Sequence, residues 1–377
     1  MKNALIAGAV SSRANQNNVV RKAAIGRYLS LVLCLLVSAV ASSYAQAGSV
    51  LNRLGTPQVL STIPSNGDVN PYGVAFVPAG FPTGGLLHPG DILVSNYNDK
   101  NNLQGTGTTI VDFRAGQQTL FFQNAPGVGL STGLAVLKAG YVLVGNMPTT
   151  DGTSNTVKPG SLLAINSAGQ VVWSLANTQL IDGPWDFTVH DQGSTAIVFV
   201  SNVLDGTIER LVLGVGKGGI ALLSTTRISS NYGHRGDPAA LEVGPTGLAY
   251  DASRDTLYVA ASFENSIYAI PDAAAVGQNG GKGYRIYSDP LHLHGALAMT
   301  MAPNGNLICS NSDVINGVAG QPSELVEFTR GGRFVAERSV DPNQGGAFGL
   351  AFGVVDGHTT FAAVDDNTSS LEVWTVN

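Results

Sequence analysis

The side chains with chemical potential in this sequence are mostly oxygen donors that recur at matching places. Asn96, Asn146, Asn202, Ser262, Asn311 and Asp366 each close an apolar run, and Asp182, Asp186 and Asp365 fall beside the same run ends. Amide and carboxylate oxygens without nitrogen or sulfur suit a hard cation such as Ca²⁺, which makes Asp182, Asn202, Asp365 and Asp366 a candidate metal set. The rival use of such residues is capping, in which a short polar side chain bonds the backbone of an adjoining turn. Imidazole is the second resource. His292 and His294 share one side of an extended segment, and His234 lies in a long loop before the following apolar run. Two or three imidazoles could hold Zn²⁺ or act as acid and base in a hydrolase or lyase, whereas packed or exposed histidines would be inert. No Gly-x-Ser-x-Gly elbow and no phosphate loop is present.

These side chains have to be positioned by something, and the chain supplies a repeat. Pro71-Tyr72-Gly73-Val74-Ala75-Phe76 returns as Ser131-Thr132-Gly133-Leu134-Ala135-Val136, Pro184-Trp185-Asp186-Phe187-Thr188-Val189, Pro245-Thr246-Gly247-Leu248-Ala249-Tyr250, His294-Gly295-Ala296-Leu297-Ala298-Met299 and Ala347-Phe348-Gly349-Leu350-Ala351-Phe352. The third residues are separated by 60, 53, 61, 49 and 53 positions. A period near fifty with several short strands per unit predicts an all-β propeller. In the fourth unit strands are predicted over residues 246–250, 256–261, 266–270 and 283–287, with a helical turn over 273–277. The first is small and apolar, as a strand at a crowded centre must be, and the later ones alternate. The sixth unit stops one strand short, and residues 57–63 supply an alternating strand at the other end. Pairing that segment with residues 371–376 would close a six-bladed ring, with seven blades the alternative count, and remove two raw edges. Trimming residues 48–52 is then expected to be nearly silent.

The word Pro-x-Gly-Val/Leu-Ala followed by Leu257-Tyr258-Val259-Ala260 and a short polar loop resembles the six-bladed propellers of the NHL-repeat and gluconolactonase-like kind, over residues 50–377. The resemblance implies a metal ligand supplied by an acid before Gly-Pro at the lead-in to a first strand. Asp182-Gly183-Pro184 is similar to that word, with Asp for Glu and in the third unit. No Trp-Asp dipeptide closes a strand, and no sialidase-type Asp box occurs.

Residues 1–27 carry Lys2, Arg13, Arg21, Lys22 and Arg27 and no acid, an apolar run covers 28–41, and Ala45-Gln46-Ala47 offers small residues before a cleavage point. That pattern predicts a signal peptide over residues 1–47 and a mature single domain over 48–377, exported to the periplasm or secreted. The apolar run is well short of the roughly 20 residues of a membrane span, so no transmembrane anchor is expected. The mature charge becomes (20 − 5) − 26 = −11, which repels nucleic acid. Cys309 is then the one cysteine left, so no internal disulfide can form.

In such a ring the residues at 96, 146, 202, 262, 311 and 366 should surround the mouth of the central channel. Loops after the second strand lengthen to residues 97–108 in the first unit, 147–160 in the second and 313–322 in the fifth. Long polar loops on one face of a rigid ring mark a docking face. Two functions follow. One is a binding propeller that takes a polar small molecule, glycan, peptide or protein through Asn96, Asn98, Asn146, Asn202 and Asn311. The other is a Ca²⁺- or Zn²⁺-dependent hydrolase, lactonase or lyase at the channel mouth, with His234, His292 and His294 as candidate catalytic groups.

Overall fold

A computed structural model describes residues 48–130, 133–312 and 315–376. The expected leader, residues 1–47, lies outside the described residues, as do Ser131, Thr132, Asp313 and Val314. Six four-stranded antiparallel sheets follow one another around a ring. From the channel outwards, blade one is Val69–Phe76, Ile92–Asn98, Thr109–Arg114 and Gln117–Gln123. Blade two is Leu134–Leu137, Tyr141–Asn146, Ser161–Asn166 and Val171–Leu175, and blade three is Pro184–Asp191, Thr195–Asn202, Thr207–Gly216 and Gly219–Ser229. Blade four is Pro245–Asp251, Thr256–Ala261, Ser266–Pro271 and Tyr284–Tyr287, and blade five is Ala296–Met301, Leu307–Asn311, Ser323–Phe328 and Phe334–Asp341. The second and third strands are buried on both faces while outer strands such as Val171–Leu175 are half exposed, so the core is a set of apolar layers between neighbouring blades.

Blade six closes as expected from the two chain ends. Ala347–Val355, His358–Asp365 and Ser370–Thr375 are completed by Gln58–Ser61, paired antiparallel with Leu60 opposite Leu371. Thr62 extends the closure by donating both its N–H and its Oγ1 to the Ser369 carbonyl, at 2.9 and 2.8 Å. Trimming residues 48–52 is not the harmless change the sequence suggested. Val50 and Leu51 are completely buried, in and beside a single 3-10 turn at Leu51–Arg53. Arg338 of blade five donates to the Leu54 carbonyl at 2.9 Å and the Gly55 carbonyl at 2.7 Å.

The register shows what the repeated word is for. In blades one, four, five and six the inner strand bulges across its second and third residues, and blade three shifts at the same place. A bulge leaves a backbone amide without its ladder partner. The second strand answers with a serine: Ser95 Oγ accepts the Gly73 N–H at 3.0 Å, Ser201 Oγ that of Asp186 at 3.1 Å and Ser310 Oγ that of Ala298 at 3.0 Å. The third residue is small because the inner strands converge there. A Cβ on Gly349 would stand 1.6 Å from the Tyr72 carbonyl oxygen, and one on Gly247 2.4 Å from that of Leu297. Register also moves the blade-five word by two positions from the sequence alignment. Ala296 pairs with Asn311 as Pro71 pairs with Asn96, so Ala298, not Ala296, stands where Gly73 does.

Candidate functional site

The loops that lead into each inner strand and those that leave each second strand share one face, at the mouth of the channel. Asn96, Asn202 and Asn311 pair with the first residue of the word, Pro71, Pro184 and Ala296 respectively. Their side chains are fully buried and fasten the lead-in loops. Asn96 donates to the Thr62 carbonyl at 3.1 Å and to Thr109 Oγ1 at 3.2 Å. Asn202 donates to the Leu180 carbonyl at 3.0 Å and accepts the Asp182 N–H at 3.1 Å. Asn311 donates to the His292 carbonyl and accepts the His294 N–H, both at 2.9 Å. Asn146 accepts from Ser161 Oγ at 2.9 Å. Asn96, Asn202 and Asn311 thus act as caps in this structure, while Asn146 bonds a side chain on the neighbouring strand.

In blades four and six the ring position is one residue earlier than the sequence placed it. Ala261 pairs with Pro245 and Asp365 with Ala347, so Asp365 is the counterpart of Asn96. It is buried, and accepts from Thr368 Oγ1 at 2.5 Å and the Asn367 N–H at 3.1 Å. A one-residue shift turns a side chain to the other face. The residues following the ring position, namely Tyr97, Met147, Val203, Ser262, Ser312 and Asp366, are therefore the set nearest the mouth. Tyr97, Met147 and Val203 make an apolar half with Trp185, while Ser312 and Asp366 sit on the polar side.

The floor is built by the second residue of the word in four blades. Tyr72, Trp185, Leu297 and Phe348 close the channel, Trp185 Nε1 donating to Tyr72 Oη at 3.0 Å with the rings edge to face. Above them is a cavity of about 200 Å³ rimmed by Asn70, Asn98, Asn102, Gln104, Gln344 and Asn367, with the Asp366 carboxyl on its wall. Tyr97 Oη, Asn98 Oδ1 and Asn70 Oδ1 are buried there without a hydrogen-bond partner. Such groups call for a bound partner, because an unsatisfied buried polar atom costs about 1–3 kcal/mol. No hydrogen bond among the described residues engages the Asp366 side chain. Desolvation, followed by the neighbouring Asp365 charge, pushes its carboxyl up to about 7.

A small hairpin absent from the sequence reading roofs part of the mouth. Arg235–Asp237 pairs with Leu241–Val243, and Asp237 holds the turn through the N–H groups of Ala239 and Ala240, at 2.9 and 3.1 Å. Its tip crosses the ring to blade one, where Gln104 Nε2 donates to the Ala239 carbonyl at 2.8 Å. Leu241 adopts φ 62° and is buried in the cluster with Tyr97 and Trp185. A bulky residue in the left-handed region is a strained exception. Glu242 is 6% exposed, and no hydrogen bond among the described residues engages its carboxyl. Burial is the main cause that lifts its carboxyl to about 7, against the nearby His234. Its charge in turn raises the Tyr97 phenol, after burial. Sequence reasoning passed over Glu242, although it stands two residues before Gly244-Pro245, the kind of word that drew attention to Asp182.

The candidate ligand sets do not assemble. Asp182 and Asn202 belong to blade three and Asp365 and Asp366 to blade six, across the ring, with the Tyr72–Trp185 pair between them on the axis. The residues therefore do not fit one cation centre, and among the described residues no group of three or more His, Cys, Asp or Glu could hold a metal. The histidines also part. His234 lies by Asp182 and Glu242. His292 stacks on Phe334 at 3.7 Å and bonds Asp289 at 2.8 Å, and His294 is buried against the Pro290 carbonyl at 3.2 Å. Among the described residues no helix is long and apolar enough to cross a membrane.

The ring of six four-stranded blades is the fold of the gluconolactonase- and regucalcin-like propellers. The chain is similar to a gluconolactonase from Xanthomonas campestris, 14% identical over 86% of this chain and 91% of that one, with a TM-score of 0.52. It is also similar to a calcium-binding protein, regucalcin, from Agrobacterium tumefaciens, 13% identical over 86% and 95% of the two chains, with a TM-score of 0.51. At these identities the likeness is one of fold. No protein-family model and no curated protein matches the chain.

Proposed function

We propose that this is an exported propeller whose mouth cavity takes a neutral, sugar-sized polyhydroxylated ligand, and that it hydrolyses an ester or lactone of such a ligand with Asp366 as the acid–base group. The observation that carries the reading is Asp366: a carboxyl pushed up to about 7, free of hydrogen bonds within the described residues, on the wall of a pocket with an aromatic floor. A general base works best when its pKa lies near the working pH. The amide rim of Asn98, Asn102 and Gln104 offers both donors and acceptors, and Trp185 and Phe348 offer ring faces for the C–H face of a sugar. The volume, about 200 Å³, is below the roughly 300–1,000 Å³ of drug-sized sites and suits a single ring more than a chain. Export is supported by the charge and apolar pattern of residues 1–47. The similar gluconolactonase fold makes aldonolactones the first substrates to try.

The test is a panel of aldonolactones followed by pH-stat, with calorimetric titration of the matching monosaccharides. Turnover should rise as pH passes through about 7, where the Asp366 carboxyl ionises. Asp366→Asn should lower kcat by about 10²–10⁴-fold while binding stays within a few fold. Binding without turnover in either form would leave a binding module and remove the hydrolytic half. A panel with neither binding nor turnover would remove both.

A further inference from the structure

The channel also opens on the opposite face, and that half of it belongs to no part of the site above. Below the Tyr72–Trp185 partition the six inner strands enclose a cavity of about 370 Å³, inside the roughly 300–1,000 Å³ range of small-molecule sites. Its walls are largely apolar side chains, among them Val74, Leu134, Leu248, Met299 and Leu350. One wall residue breaks the repeat. The third position of the word is Gly73, Gly133, Gly247, Ala298 and Gly349 in five blades and Asp186 in blade three. Asp186 lies at the closed end, just beneath Tyr72, whose phenol its charge helps to raise after burial does so.

Among the described residues the Asp186 carboxyl has backbone donors alone, the N–H of Phe187 at 2.8 Å and that of Leu248 on the next blade. Among the described residues no cationic side chain lines the cavity. A second acid, Asp191, ends the same strand at the rim, five residues and about 16 Å away at 3.3 Å per residue. The cavity is thus a tube walled by apolar side chains and inner-strand backbone, with one carboxyl at its blind end and another at its lip. A partly buried carboxylate without a cation is costly, and desolvation accordingly lifts this one to about 7.

We infer that this half of the channel is a binding site for a slender primary ammonium compound, its cationic head on Asp186 and its apolar body along the inner strands. The assignment is independent of the mouth site and of any hydrolytic activity. It is tested on the mature protein by calorimetric titration at pH 8 with n-hexylammonium chloride and, as the neutral analogue, n-hexanol. At that pH the Asp186 carboxyl is ionised and an alkylammonium, like lysine, keeps its proton. The ammonium should bind at least about tenfold more tightly than the alcohol, a 1.4 kcal/mol difference. Asp186→Asn should erase that preference, and Thr188→Trp, which fills the tube below an intact Asp186, should abolish binding of both. Equal affinity of the two probes, no binding of either, or undiminished ammonium preference in Asp186→Asn or Thr188→Trp would each overturn the site.

Discussion

Deleting residues 48–55 while leaving the closing strand Gln58–Ser61 in place isolates the contribution of the segment that precedes the ring. Val50 and Leu51 are fully buried and Leu54 is 6% exposed, and each fully buried aliphatic side chain is worth about 1.5–3 kcal/mol. The three together give about 4.5–9 kcal/mol, an upper figure because the unfolded chain already hides some of that surface. Polar losses point the same way. The fully buried Glu327 carboxylate would lose Ser49 Oγ at 2.7 Å and the Leu51 N–H at 3.1 Å, keeping Asn304 and Asn306. Residues 48–377 number 377 − 47 = 330, and at about 2.1 cal/mol/K per residue the unfolding entropy is roughly 0.7 kcal/mol/K. The deletion should therefore lower Tm by roughly 6–13 °C, read by circular dichroism or calorimetry against the chain that starts at Gly48. A deletion variant melting within about 2 °C of its parent, on an entropy of that size, would refute the packing assigned to Val50, Leu51 and Leu54.

Two further changes test the electrostatics and the ring. Glu242 has a folded pKa raised from 4.5 to about 7, so the folded state holds its proton more tightly and stability falls as pH rises through that window. Glu242→Gln should match the parent near pH 4 and exceed it near pH 8 by at most about 3 kcal/mol, seen in paired urea titrations; equal stabilities at both pH values would dismiss the buried charge. Gly349→Ala would place a Cβ 1.6 Å from the Tyr72 carbonyl oxygen, a backbone clash that belongs with the exceptional losses above about 4 kcal/mol. An alanine variant with parental yield and Tm would mean that inner strands can separate without cost.

The blades were legible because each level of the sequence agreed with the others: turn residues, period-two alternation and a small-residue word all returned together. Strands at residues 256–261 were placed to the residue, and the closing pair was found by counting what each chain end lacked. The failures share a cause. Asp365 and Asp366 are the same residue type in succession, so composition cannot say which faces the channel; the ladder from Leu350 opposite Ala363 to Ala347 opposite Asp365 decides it. In blade five, Ala296 and Ala298 are equally small, and either could hold the crowded position. The hairpin at Arg235–Asp237 and Leu241–Val243 is three residues per strand with a Pro-Ala-Ala turn, too short to leave a pattern. Contacts with blade one, such as Gln104 with Ala239, lie 135 residues away in sequence.

A ring of near-identical repeats can carry function only where the repeats differ, since whatever all six share is needed to close the circle. The third-position glycine recurs in four blades, the bulge serine in blades one, three and five, and the asparagine that fastens a lead-in loop in those same three, where the serines and asparagines have structural partners. The departures lie along the axis. At the second word position Tyr72, Trp185 and Phe348 replace smaller residues and partition the channel. Just beyond the ring position, Asp366 stands where blades one to three place Tyr97, Met147 and Val203. At the third position Asp186 replaces glycine. Each of the two acids has a pKa raised to about 7 by burial, and they sit on opposite sides of the aromatic partition. The Tyr72–Trp185 hydrogen bond lies between the mouth cavity and the lower cavity, so the two proposed sites should be separable by substitution at 366 or 186. Loss of Trp185 should disturb the cup directly and the tube only through Tyr72.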